Sequence, residues 1–127
     1  IPVWQVPKNA YKQMNVSLAE LQDRVAPVGV IGKYLFDQMV ELNNERANQP
    51  WPHGESWCLG DSPTVTVLLE EHERVNYHLV PAPVVEEKTM RYLPRENAKL
   101  IRVYHTIDVR LTMEDFYSKL KLNYGDQ

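Results

Sequence analysis

The sequence predicts an α+β protein in which helices come first, strands follow, and one helix closes the chain. Helical periodicity marks a helical half at about residues 17–73, and β-branched and aromatic residues dominate from about residue 75. A last helical pattern ends near residue 122, and no complete alternating strand–helix–strand unit is visible. The 127 residues suffice for one unit with one core.

Composition and charge narrow the class of protein. Apolar residues make up 43% and charged residues 24% of the chain, as in ordinary globular proteins. The net charge of −3 gives no electrostatic case for nucleic acid as a partner, and no apolar run reaches the length of a membrane span. Because one cysteine, Cys58, cannot form an internal disulfide, a cytoplasmic location is expected.

The chain opens in the middle of a pattern. It does not begin with Met, and IPVWQVPKNAY lacks the charged end and apolar run of a signal peptide. Ile1 to Val6 alternates apolar and other residues, like the tail of a strand. These features predict a fragment of a longer protein, and a trimmed tag or a disordered start is the alternative.

Three helices are predicted in the first half. Ser17 and Glu20 have the spacing of a capping box, which predicts a helix from Leu18 to about Val25 that stops before Pro27. A longer helix follows from Val30 to about Asn43, and a third helix begins around Asp61 to Pro63. The residues expected to face the core are Ile31, Tyr34, Leu35, Met39 and Leu42 in the longer helix, and Val65, Leu68 and Leu69 in the third. A partner-binding surface is the alternative for the longer helix.

The second half reads mainly as strands. Short strands are expected at Val75–Val80, Val84–Val85 and Thr89–Tyr92, and a longer one at Leu100–Val109. Thr112 is expected to cap the closing helix, whose core-facing residues are Phe116, Tyr117 and Leu120.

Few residues have the spacing of a catalytic or metal site. Zinc motifs and a glycine-rich phosphate loop are absent from the sequence, and Cys58 has no evident histidine partner. His53, His78 and His105 are scattered and are interpreted as surface or satisfied histidines. Asp61, in Gly60-Asp61-Ser62-Pro63, has two interpretations: a helix N-cap, or a hard oxygen ligand for Ca²⁺.

Several motifs, taken in order, resemble the C-terminal portion of inosine–uridine preferring nucleoside hydrolases. They span nearly the whole chain: Trp4-Gln5-Val6-Pro7, Val16-Ser17-Leu18-Ala19-Glu20-Leu21, Gly54-Glu55-Ser56-Trp57, Leu59-Gly60-Asp61-Ser62-Pro63, Ile101-Arg102-Val103-Tyr104 and Asp115-Phe116. The resemblance implies an α/β parent with a mainly parallel central sheet. It also implies an enzyme of nucleoside salvage that hydrolyses the N-glycosidic bond of ribonucleosides to ribose and free base with a Ca²⁺-bound water.

The resemblance also assigns roles to single residues. Asp61 matches the family's calcium ligand, with one residue inserted before the proline. Trp57 and Glu55 are candidates for substrate binding, and the alternatives are a core tryptophan and a solvated loop acid, respectively. Gly60 stands where many members have the histidine that protonates the leaving base, so no catalytic residue is assigned to this chain. The family's N-terminal Asp-rich motif, which supplies the other calcium ligands, has no match here. The isolated chain is therefore expected to be inactive without the missing N-terminal portion.

Two further interpretations belong to other classes. Gly60 favours a non-catalytic relative that serves as a binding or assembly protein on the same scaffold. The other interpretation is a self-standing α+β domain that forms a homodimer, a small homo-oligomer, through the helix from Val30 to Asn43.

Overall fold

The chain folds as a mixture of helices and short strands, which confirms the predicted α+β class. The computed structural model describes residues 1–50, 53–70, 76–96 and 98–125. Their elements, in chain order, are β1 (Trp4–Gln5), α1 (Lys8–Tyr11), β2 (Asn15–Ser17), α2 (Leu18–Arg24), α3 (Gly29–Arg46), β3 (Ser56–Cys58), α4 (Pro63–Leu69), β4 (Tyr77–Pro81), β5 (Val84–Val85), β6 (Tyr92–Leu93), β7 (Leu100–Tyr104) and α5 (Val109–Tyr124). None of the helices in these ranges is long and apolar enough to cross a membrane.

The main sheet has three strands in the order β1-β7-β4. The central strand β7 runs parallel to β1, with Trp4 opposite Arg102, and antiparallel to β4, with Tyr77 opposite Tyr104. The pairs β2–β3 and β5–β6 form two small antiparallel sheets. The parallel pair places the carboxyl ends of β1 and β7 at the same edge of the sheet.

Of the two hydrogen bonds of the predicted capping box at the start of α2, the one accepted by the serine hydroxyl is confirmed. The Ser17 hydroxyl accepts a hydrogen bond from the backbone N–H of Glu20 at 3.0 Å, and α2 ends at Arg24, before Pro27. Both features depend on residues within one turn of each other, so the local sequence sufficed to predict them.

The longer helix α3 forms, but the prediction of its inward face is wrong in the first turns of the helix. Ile31, Tyr34 and Leu35 are exposed, with Tyr34 at 55%. Met39 packs partly against the core as predicted, together with Phe36, and Gly32 is buried. A Cβ atom at position 32 would lie closer to the backbone oxygen of Val25 than real Cβ atoms approach. The close crossing of α3 over the end of α2 therefore fixes the rotation of α3, against its apolar pattern.

The predicted inward face of α4 is wrong for two of its three residues, because Leu69 is half-buried but Val65 and Leu68 are exposed. Leu68 is 65% and Val65 is 48% exposed, whereas Thr66 and Val67 are buried. The hydroxyls of Thr66 and Thr112 lie 2.6 Å apart in the contact between α4 and α5, so a buried polar pair sets this orientation. The predicted helical half ran to about residue 73, and residues 71–73 lie outside the described residues.

The last strand is shorter and the last helix longer than predicted. β7 ends at Tyr104, and α5 begins at Val109 with Asp108, not Thr112, as its N-cap. The Asp108 carboxylate accepts from the backbone N–H of Leu111 at 2.8 Å, while Ile107, which looked like a strand residue, is buried in the core. A side-chain cap thus ended the extended segment before Val109.

The other strands also differ at their ends. The predicted strand Val75–Val80 forms as β4, which starts at Tyr77 and extends to Pro81; residue 75 lies outside the described residues. Proline is tolerated there because β4 is an edge strand of the main sheet. The predicted strand at Thr89–Tyr92 begins only at Tyr92, because Met90 adopts a positive φ of 57° within the β5–β6 hairpin.

The core lies between β2, α2 and α5. Tyr117 and Leu120 face it as predicted, and Phe116 packs partly against it. Its buried members are Met14, Val16, Leu21, Val25, Val28, Ile107, Met113, Tyr117 and Leu120.

Candidate functional site

Asp61 lies in the turn that leads from β3 into α4. The N-cap of α4 is Ser62, and its side chain makes no capping hydrogen bond. The backbone oxygen of Asp61 accepts from the Thr64 hydroxyl at 2.7 Å, which closes the turn. The Asp61 carboxylate is exposed and joins no hydrogen bond or ion pair among the described residues. The carboxylate is therefore not engaged as a helix cap, contrary to the N-cap interpretation.

A pocket of about 490 Å³ lies beside Asp61. Its walls come from three parts of the chain and consist of Trp4, Val6, Tyr11, Gly60, Asp61, Pro63 and Thr64. Val6 directly follows β1, so the pocket opens at the carboxyl end of this parallel strand. In open α/β sheets ligands bind at this edge, and the volume is in the usual range for small-molecule sites.

Gly60 and Tyr11 form one wall of this pocket. A Cβ atom at position 60 would lie 3.3 Å from Cδ2 and 3.5 Å from Cε2 of the Tyr11 ring. The ring therefore occupies the space that a larger residue at position 60 would need. The sequence contained no sign that Trp4 and Tyr11 would stand beside Asp61, since they are 50 or more positions away.

The two residues expected to bind substrate lie elsewhere. Trp57 is in β3 opposite Val16, packs against the core, and carries the Arg46 guanidinium 5.1 Å from its ring centre. Glu55 is exposed, and its backbone oxygen accepts from the N–H of Leu18 at 2.9 Å. Neither lines the pocket beside Asp61, and the packing of Trp57 agrees with a core tryptophan.

The acidic and histidine residues in the described ranges do not converge on a metal site. No group of three or more histidine, cysteine or acidic side chains there is placed to hold a metal ion. Calcium takes six to eight oxygen ligands, so the Asp61 carboxylate by itself can supply only a small part of such a shell. The residues present thus fit a contribution to a calcium site but not the whole site.

Two of the histidines that looked scattered are in fact neighbours. The rings of His78 and His105 stack with centres 4.5 Å apart, and Nδ1 of His105 lies 3.0 Å from the Thr106 hydroxyl. The stacking of His78 on His105 arises from the strand register, in which His78 stands opposite Val103, two residues before His105.

Cys58 is exposed, with its thiol 3.4 Å from the backbone oxygen of Tyr11.

A charged cluster lies on the side of α5 that faces α2. Arg24 binds Glu114 through both guanidinium nitrogens, with Nη2 2.8 Å from Oε2, and lies 4.2 Å above the ring of Tyr117. The hydrogen bond from Arg24 holds the pKa of the Glu114 carboxyl below its usual value. Burial is the main cause that raises the pKa of the Tyr117 phenol above its usual range, and the neighbouring Glu20 carboxylate is the second cause. This cluster links α2 to α5 and is separate from the residues that line the Asp61 pocket.

Comparisons with known proteins give no relative of this chain. No protein-family model matches it, and neither a curated protein nor a solved structure is significantly similar to it. The hypothesis that it belongs with nucleoside hydrolases therefore depends on its own motifs and on the pocket at Asp61.

Proposed function

We propose that this chain is the C-terminal part of a nucleoside N-ribohydrolase, which hydrolyses ribonucleosides to ribose and a free base in the cytoplasm. In this proposal the chain contributes one wall of the pocket and one calcium ligand, Asp61. The remaining ligands come from the Asp-rich N-terminal motif of the same protein. The order of the motifs from Trp4 to Phe116 supports the assignment.

One observation carries the proposal: the Asp61 carboxylate is exposed and unpartnered in a pocket at the carboxyl end of β1. An aspartate before a helix usually accepts backbone N–H bonds, and this one does not. Its lone pairs remain available for a cation. The backbone of Asp61 is held by Thr64, so the carboxylate is offered from an ordered turn.

The chemistry divides between this chain and the rest of the protein. When bound, calcium activates and orients the attacking water. The Asp61 carboxylate would be one oxygen ligand of the calcium ion. The rings of Trp4 and Tyr11 supply apolar surface against which a planar base can pack. Gly60 has no side-chain proton to give, so another residue must protonate the leaving base, and the other calcium ligands lie outside this chain in this proposal. The chain alone is therefore inactive in this proposal.

A non-catalytic binding or assembly protein on the same scaffold is the second candidate. It is favoured by the contact between Gly60 and Tyr11, because the tyrosine ring fills the space beside the position where the family has its histidine. Such a protein would keep the pocket while lacking the group that protonates the leaving base.

The test is a calorimetric titration of the longer protein with Ca²⁺, with hydrolysis of inosine and uridine assayed in parallel. The variant is Asp61→Asn, and the control is Asp37→Asn, an exposed acid paired with Lys33 on α3. We expect Asp61→Asn to weaken calcium binding and hydrolysis at least tenfold, and Asp37→Asn to change neither. Calcium binding that depends on Asp61, without any turnover, would select the non-catalytic candidate.

Two results would overturn the proposal. One is a protein that binds no calcium. The other is a protein in which Asp61→Asn leaves calcium affinity and turnover unchanged.

A further inference from the structure

A further pocket lies between the start of α4 and the side of α5. Its volume is about 570 Å³, within the usual range of small-molecule sites. Its apolar walls come from Leu59, Val65, Met113, Phe116 and Leu120. Met113 and Leu120 are members of the hydrophobic core, so this pocket, called the α4–α5 pocket below, reaches the core from the surface.

The hydroxyl contact between Thr66 and Thr112 keeps the α4–α5 pocket open. Thr112 lines the pocket, and its hydroxyl lies 2.6 Å from that of Thr66. Because this contact fixes the rotation of α4, Val65 lines the pocket instead of joining the core and stays 48% exposed. The apolar wall therefore belongs to the fold itself and does not need a ligand in order to form.

The α4–α5 pocket is distinct from the pocket beside Asp61. Ser62 and Val65 line the α4–α5 pocket, whereas Gly60 and Asp61 of the same turn line the other one. Within the described ranges no residue lines both pockets. A site in the α4–α5 pocket is therefore independent of the proposed nucleoside hydrolase activity.

The charges beside the α4–α5 pocket offset each other. Its charged lining residues are Asp115 and Lys119, which pair with each other at 2.6 Å. The Asn123 side chain donates to the backbone oxygen of Lys119 at 2.7 Å. The Ser62 hydroxyl makes no capping bond to α4, so it is available to a ligand.

These groups indicate the chemistry of the ligand. A charged ligand would lose hydration without gaining a counter-charge, because the two charges present are already paired. The Phe116 ring and the aliphatic walls offer apolar surface to a ring system. The Ser62 hydroxyl can donate or accept one hydrogen bond.

We propose that the α4–α5 pocket binds a neutral, mainly apolar small molecule that carries a ring system and one hydroxyl group. The neutral lining and the single available hydroxyl match such a molecule in charge and in hydrogen bonding.

The test is an NMR titration of the 127-residue chain at pH 7 that follows the methyl signals of Val65, Met113 and Leu120. The probes share a naphthalene ring and differ in charge: 2-naphthol is neutral, 2-naphthoate is an anion and 2-naphthylmethylammonium is a cation. We expect saturable shifts with 2-naphthol and about tenfold weaker binding of both ions. Equal affinities for all the probes, or shifts with 2-naphthol that do not saturate, would overturn the proposal.

Variants assign the binding to the α4–α5 pocket. Val65→Asp places a charge in the apolar wall and is expected to weaken the binding of 2-naphthol about tenfold. Val30→Asp is the matched control, because Val30 is 85% exposed on α3 and does not line the pocket, and it should change nothing. An affinity for 2-naphthol that survives Val65→Asp would rule this pocket out as the site.

A second variant tests the hydrogen bond and leaves the wall intact. Ser62→Ala is expected to weaken the binding of 2-naphthol about two- to tenfold, the effect of one hydrogen bond, and to leave the binding of unsubstituted naphthalene unchanged. An unchanged affinity for 2-naphthol would contradict the role of the ligand hydroxyl.

A second copy of the chain is the alternative occupant of the α4–α5 pocket. It would shift the same methyl signals as the protein concentration rises, with no probe present, and Val65→Asp would abolish these shifts. That result would overturn the proposal, whereas spectra that do not depend on protein concentration support a site for a small molecule.

Discussion

Gly32 of α3 lies directly against the backbone carbonyl of Val25, at the end of α2. A Cβ atom added at Gly32 would collide with that oxygen and would also stand 3.3 Å from the Val28 Cβ. The contact lets two helices that follow each other in the chain cross with their backbones touching. It turns Val30 and Tyr34 outward although both are apolar.

The first prediction concerns Gly32→Ala. In an exposed helix interior this change stabilises by about 1 kcal/mol, because alanine is the better helix former. Here we expect it to destabilise by about 1–3 kcal/mol, because the methyl group overpacks the α2–α3 crossing. Urea unfolding measures the difference, and Asn44→Ala, at an exposed position of α3, is the control. A stabilised Gly32→Ala variant would contradict the close crossing.

The second prediction concerns the hydroxyl pair between α4 and α5. Thr112 also donates to the backbone oxygen of Asp108 at 2.9 Å, so Thr112→Val removes two interactions and Thr66→Val removes one. We expect losses of about 1–3 and about 1 kcal/mol, respectively. The double variant should lose less than the sum, because both single changes break the same bond. Additive losses in a urea-unfolding double-mutant cycle would show that the two hydroxyls do not interact.

The third prediction separates a real helix cap from an apparent one. Asp108→Ala removes the hydrogen bond to Leu111 and should cost about 0.5–2 kcal/mol of stability. Asp61→Ala removes a carboxylate that caps nothing and should change stability by less than about 0.5 kcal/mol. Thermal unfolding of both variants provides the measurement. An equal loss in the two variants would mean that Asp61 does cap α4.

The fourth prediction concerns pH and the pair of Arg24 with Glu114. Arg24 lowers the pKa of Glu114 in the folded state, so the pair stabilises the fold above the unfolded pKa of about 4.3. That contribution is lost as the pH falls through the lowered, folded pKa. Glu114→Gln should therefore lower the free energy of unfolding at pH 7. Near pH 2 the variant and the unsubstituted protein should have the same free energy of unfolding.

The control for this pair is Glu45→Gln, at an exposed position of α3. It should show no such pH-dependent difference in urea unfolding. A stability gap for Glu114→Gln that is the same at pH 7 and pH 2 would contradict the role of the charge.

The proposed site was only half visible in the sequence. Asp61 was identified because Gly-Asp-Ser-Pro is a local pattern, and the structure leaves its carboxylate unpartnered. Trp4 and Tyr11 were missed. Trp57 was chosen because its ring can stack on a base, and Glu55 because its carboxylate can accept hydrogen bonds, but neither lines the pocket. Which residues surround Asp61 is decided by the packing of β1 and α1 against the start of α4, and no local pattern reports that.

The sequence by itself determined the α+β class, the capped start of α2 and the existence of the long helices α3 and α5. These features follow from short-range effects: hydrogen bonds within one turn and the periodicity of apolar residues. Only the tertiary structure decided how α3 and α4 are rotated and which residues line the pocket beside Asp61. The reason is physical: a single close backbone contact or a buried hydroxyl pair, formed between distant residues, outweighs the preference of an apolar stripe for burial.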